Sequence, residues 1–284
     1  MIEASAPMNP AAARFFARFL LVHTHVEKTA GTTLVGHLTR LFGAEHVLDL
    51  RSAEVPRPAD LEPQQRRAVW LLTGHFHRGA HEGQFDRRPI RLALVRQPVE
   101  RLISLYKYVR NGQGHPGRER YAYLPLPEAV RRMIEIGAGP IRNQQCRTLT
   151  GLKEPKWSDV VYAVERDYAV VCTQSSVDRL TALFNARFGV EVPAEALNRG
   201  KPGVIDIDDE TLRLVEETNA LDFRLYEYVA QNEARLLRGF DHLLSATLPA
   251  AGAAAAGTAT APIAAATARQ QRPQPTAAHA AHGN

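Results

Sequence analysis

Cysteine is scarce in this sequence. Only Cys146 and Cys172 occur in 284 residues, with no close pair between them, so neither a disulfide framework nor a cysteine zinc site is signalled and a reducing compartment fits. Long apolar runs are also missing. The stretch from Phe15 to Val26 is broken by Arg18, His23 and His25 and is too short and too polar to span a bilayer. Arg14 and Arg18 flank it like the basic end of a signal peptide, but no small-residue cleavage site follows. These absences predict an unexported, cytoplasmic chain without stable membrane insertion. Charge of one sign is nowhere concentrated. Lys plus Arg number 35 against 30 Asp plus Glu, and the basic residues are dispersed among acids, which argues against a nucleic-acid-coating surface.

Acidic residues stop altogether after Leu248, and residues 250–284 are dominated by Ala with Thr, Pro, Gln and His. Such a segment lacks the aromatic and branched side chains that offset the entropy of ordering a chain, so it is expected to be disordered. Its histidines, His279 and His282, read as composition and not as a metal site. Residues 1–14 read as a flexible lead-in. What remains, 15–249, suits one catalytic-sized domain, because 45% hydrophobic and 23% charged residues are enough to bury a single substantial core.

Within that domain the pattern alternates. Phe19 to Val22 reads as a buried strand, and Leu34, Leu38, Leu41 and Phe42 then recur at helical spacing. Val69 to Thr73, Ile90 to Val95 and Ala169 to Cys172 give three further short strands. Pro98 opens a helix in which Val99, Leu102, Ile103 and Tyr106 share a face, and helical periods follow through 177–188, 212–215 and 225–237. Strands alternating with helices predict an α/β fold with a mainly parallel sheet covered on both faces and ligands at the carboxyl ends of its strands.

Two segments carry phosphate-binding chemistry. The first is His25-Val26-Glu27-Lys28-Thr29-Ala30-Gly31-Thr32-Thr33, between the first strand and its helix. Gly31 allows close backbone approach, Thr32 and Thr33 bring hydroxyls to a helix N-terminus rich in unpaired N–H groups, and Lys28 supplies a mobile cation. A nucleotide-kinase loop places its lysine directly after the second glycine, whereas here Lys28 precedes Gly31. The second segment, Leu94 to Tyr106, again runs strand, turn, helix. Arg96 offers a planar fork to a phosphate and Ser104, two helical turns on, a hydroxyl; Arg101 reads as a solvated helix arginine, the alternative being a ligand contact.

The first segment resembles the 5′-phosphosulfate loop of the sulfotransferase superfamily that uses 3′-phosphoadenosine 5′-phosphosulfate. The pattern HxxKTAGTT is similar to that of bacterial sulfotransferases and heparan sulfate 2-O-sulfotransferases, with Glu27 where proline is usual. The second segment resembles the family's R-x-P-x-x-R-x-x-S-x-Y element, with Gln97 for the usual Asp. The resemblance implies a P-loop-like sulfotransferase fold and transfer of a sulfuryl group to an acceptor hydroxyl of a carbohydrate, with no metal and no nucleic acid partner. By it, Lys28, Thr29, Ala30, Gly31, Thr32 and Thr33 hold the 5′-phosphosulfate, Arg96 and Ser104 hold the 3′-phosphate, and Lys28 also acts in catalysis. His75, in Gly74-His75-Phe76-His77, matches the family's histidine base; His77, His81 and Glu82 are close enough in sequence to take that role instead. The stretch Asn143 to Leu149 is expected to border the acceptor pocket, and the loop Leu197 to Lys201 reads either as covering the nucleotide through Lys201 or Arg199 or as an exposed basic loop. The alternatives are a P-loop-like nucleotide kinase or NTPase, and a nucleotide-binding scaffold without catalysis.

Overall fold

The computed structural model describes residues 10–52, 54–111, 118–121, 123–135, 141–192 and 207–248. The tail 250–284, the glycine-rich stretch Gly112 to Gly117 and the loop Asn198 to Lys201 lie outside the described residues. In chain order the elements are α1 (Pro10–Arg18), β1 (Phe19–Thr24), α2 (Gly31–Phe42), β2 (Val47–Asp49), α3 (Pro63–Ala68), β3 (Leu71–Gly74), β4 (Arg88–Val95) and α4 (Pro98–Asn111). They continue with α5 (Arg118–Tyr121), α6 (Leu126–Glu135), α7 (Gln144–Thr150), α8 (Trp157–Tyr162), β5 (Val170–Thr173), α9 (Val177–Phe188), α10 (Asp209–Thr218) and α11 (Ala220–Thr247).

The sheet is parallel throughout, in the order β2-β3-β1-β4-β5. Leu21 lies between Leu71 of β3 and Ile90 of β4, and Leu92 to Val95 pair with Val170 to Thr173. Every residue of β1, β3 and β5 is buried, as expected of strands covered on both faces. Alternate side chains feed different clusters. Leu21, Leu92 and Leu94 join Phe15, Phe16, Phe42, Phe184 and Phe240 from the helices on one face. Leu20, Val22 and Leu72 join Leu48 and Phe76, while Ala93 and Val95 pack with Leu149 and Leu225.

Four of the five strands coincide with the apolar runs of the sequence; β2, three residues at the sheet edge, is too short to show a period. Helix α1 starts at Pro10, inside the stretch that composition reads as a lead-in. Its reason is aromatic: the Phe16 ring stacks on Trp70 at 4.7 Å and Phe188 at 5.6 Å, and Phe15 meets Phe188 edge-on at 5.8 Å. Helix α11 outruns the 225–237 period because its buried stripe continues through Phe240 and Leu244.

From β1 the chain runs outward to β2 and returns to β3, but it reaches β5 on the other side through β4. The boundary between β1 and β4 is therefore the topological switch point, where the loops leaving the two strands diverge and open a crevice. Phe184 is fully buried against Phe42, Phe188 and Phe240 under this face of the sheet. Phe184→Ala is expected to lower unfolding free energy by about 3–5 kcal/mol, read from the urea midpoint at constant m value.

Candidate functional site

The loop between β1 and α2 has an unusual backbone. Lys28 and Ala30 both adopt the left-handed conformation, with φ of 67° and 66°, at a cost of roughly 1–2 kcal/mol each for an L-residue. Left-handed residues in such a turn aim successive N–H groups into one concavity that suits an anion. The strain is held by the buried Thr29 hydroxyl, which donates to the Val26 carbonyl at 2.8 Å, and by the His25 N–H, which donates to the Gly74 carbonyl at 3.0 Å. Thr29 thus spends its hydroxyl inside the loop. Helix α2 begins at Gly31 with no side-chain cap, so its first N–H groups and the positive end of its dipole face the crevice.

Gly31 is required for a reason the sequence did not give. A Cβ there would lie 2.2 Å from Cδ2 and Nε2 of His25, so the close approach is between the helix start and an imidazole. His25 is buried, and its ring stands between His23 at 5.1 Å and His75 at 4.6 Å. Burial, reinforced by His23, His75, Arg51 and Lys28, drives the His25 pKa far below the usual imidazole range. His23 is fully buried, bonded through Nδ1 to Thr73 Oγ1 at 2.9 Å, and lowered to about 3, chiefly by desolvation with Arg51 adding to it.

His75 follows β3 and is exposed. Its Nδ1 lies 2.9 Å from the His25 carbonyl oxygen, which can only accept, so Nδ1 is the donor and the neutral tautomer that fits this contact has its lone pair on Nε2. The other sequence candidates differ. Glu82 is buried and holds Arg91 through both oxygens, at 2.8 and 2.7 Å from Nε, so its carboxylate is committed to an ion pair. His81 is half-buried edge-on to Phe76 at 5.3 Å, its pKa lowered by desolvation and Arg57. His77 is exposed.

Across the switch point stands Arg96, just past the end of β4. Its Nη1 reaches the Lys28 carbonyl at 3.4 Å and its Nε reaches Glu100 Oε2 at 3.3 Å. Lys28 Nζ sits 4.0 Å over the ring of Tyr108; desolvation lowers its pKa, opposed by Glu27. Glu100, Ser104 and Tyr108 are spaced four apart on α4 and share one face. The face that touches Arg96 at one end and Lys28 at the other therefore carries Ser104 between them. Gln97 accepts from the Glu100 N–H at 2.9 Å, capping the start of α4 in the role an Asp would play there. Thr32 is exposed and accepts from Arg51 Nη1 at 3.1 Å, while Thr33 and Ala30 are half-buried at the helix start.

A sulfotransferase family profile matches residues 14–162, which takes in the loop between β1 and α2, Arg96 with α4, and the histidines His23, His25 and His75. The chain belongs to the sulfotransferase family. Among curated sulfotransferases it is similar to heparan-sulfate 6-O-sulfotransferase 1 of Cricetulus griseus and of Homo sapiens, 23% identical over 266 residues, covering 74% of this chain and 66% and 64% of theirs. The 1-A form of Danio rerio is 20% identical over 264 residues. The chain thus spans about two thirds of the length of these relatives. They carry the 6-O name, whereas the motifs resemble the 2-O branch; the family is what the two share.

One sequence expectation is corrected beside this crevice. Arg101 is not solvated but 1% exposed, donating to Gln144 Oε1 at 2.8 Å. In the stretch Asn143 to Leu149, Gln144 accepts from Arg101 and Gln145 bonds the Arg96 backbone. Two residues went unnoticed. Arg51, after the short β2, is clamped by Asp49 at 2.9 and 3.0 Å, and Tyr108 was legible as the position one turn beyond Ser104. No helix among the described residues is long and apolar enough to cross a membrane.

The buried histidines His23 and His25 have a pH signature. His23 is protonated in the unfolded chain below about 6.5 but in the fold only near 3, so the unfolded state binds more protons and stability falls as pH drops through that window. At pH 5 the loss from His23 alone is about 2 kcal/mol. Denaturant titrations at pH 7 and pH 5 are expected to differ by that amount or more, and by less in His23→Gln.

Proposed function

We propose that this chain transfers the sulfuryl group of 3′-phosphoadenosine 5′-phosphosulfate to a hydroxyl of a carbohydrate. The observation that carries the reading is the meeting of two phosphate elements at one switch point, with Arg96 touching the Lys28 carbonyl across it. A nucleotide with phosphates on both its 5′ and 3′ positions needs two such elements. The left-handed loop, the α2 N–H groups and the hydroxyls of Thr32 and Thr33 receive the 5′-phosphosulfate, and Arg96 with Ser104 receives the 3′-phosphate.

In the transfer step His75 Nε2 takes the proton of the acceptor hydroxyl while its oxygen attacks sulfur in line. The new oxygen–sulfur bond forms as the bond to the 5′-phosphate oxygen breaks. Lys28, leaving the Tyr108 ring, and the α2 N-terminus neutralise the charge that develops on the departing phosphate. A carbohydrate acceptor is supported by the relatives named for heparan sulfate. Cys146 and Cys172 are both buried as free thiols, which suits a cytoplasmic location.

Lys28→Ala and His75→Ala are each expected to lower kcat by about 10²–10⁴-fold, with labelled sulfuryl transfer to a panel of saccharides as the assay. Transfer at the wild-type rate by both variants would refute the reading.

A further inference from the structure

The hydrogen-bonding capacity of a chain between a strand and a helix is exposed, because its peptide groups have left one ladder and not joined the next. Arg96 is in that position: the sheet pairing of β4 ends at Val95, opposite Thr173, and α4 starts at Pro98. Both of its peptide groups are met by one side chain. The Arg96 N–H donates to Gln145 Oε1 at 2.9 Å, and Gln145 Nε2 donates to the Arg96 carbonyl at 2.8 Å. Gln145 is fully buried, so the amide cannot exchange these partners for water.

The clamp is itself anchored. The N–H groups of Gln145 and Cys146, at the start of α7, donate to the two carboxylate oxygens of buried Asp222 on α11, at 3.0 and 2.8 Å. Asn143 returns the contact, its Oδ1 accepting from the N–H groups of Leu221 and Asp222 at 2.9 and 3.1 Å. The two helix starts cap each other. By contrast, among the described residues the Arg96 guanidinium makes long contacts of 3.4 and 3.3 Å, to Lys28 and Glu100. Its backbone is held firmly and its fork loosely, which is the arrangement of a group set to meet an incoming anion.

We propose that Gln145 is a positioning residue for recognition of the nucleotide's 3′-phosphate: its carboxamide fixes the Arg96 backbone and so the direction from which the guanidinium meets that phosphate. The proposal rests on the donor-site reading above. A purely structural Gln145 would alter stability and weaken all nucleotides alike; a positioning role alters the preference for the 3′-phosphorylated one.

The test is calorimetric titration of the full chain with adenosine 3′,5′-bisphosphate and with adenosine 5′-monophosphate, in wild type and in Gln145→Met, which keeps length and loses both polar groups. Wild type is expected to prefer the bisphosphate, and Gln145→Met to reduce that preference about tenfold or more, since loss of one well-aligned charged hydrogen bond is of that size. Monophosphate binding should change less than about twofold. Should Gln145→Met not fold, Gln145→Glu serves, because it keeps an acceptor for the Arg96 N–H and sets an oxygen against the Arg96 carbonyl. An unchanged preference in the folded variant overturns the proposal and leaves the donor site intact. A wild type without preference overturns the donor reading and the proposal together.

Discussion

The site depends on β1 and β4 being neighbours in a parallel sheet. Their adjacency puts the carboxyl ends of two strands side by side, while the connections that follow run to opposite edges. Only there can the loop that carries Lys28 and Gly31 and the turn that carries Arg96 face a single crevice. The 3.4 Å contact from Arg96 to the Lys28 carbonyl records the meeting, although 68 residues separate the two along the chain.

A second dependence runs through His25. Its carbonyl fixes the tautomer of His75, its ring fills the space that Gly31 leaves, and its N–H is tied to the end of β3. His75 and the loop between β1 and α2 are therefore parts of one joint. His23 and His25 are kept neutral, because burial and the nearby Arg51 and Lys28 disfavour a charged imidazole there.

Much of this was legible in the residues. Short branched runs read as four strands, and the order of Lys28 and Gly31, with Arg96 and Ser104 farther on, points to two candidate phosphate elements. Three features were not legible. A three-residue edge strand leaves no period, which hid β2 and with it Arg51. Arg101 sits on a helix face whose burial is decided by α7 and α11, far away in sequence. The glutamines of α7 look like a polar helix face, and their meaning appears only when Arg96 is placed against them.

The central claim is that the switch point holds a nucleotide by both ends, with Arg96 at the 3′-phosphate. The most direct test is the dissociation constant of adenosine 3′,5′-bisphosphate for wild type and Arg96→Ala. The account predicts firm binding by wild type and a loss of about tenfold to a hundredfold in the variant; equal binding by the two proteins, or none by wild type, would contradict it.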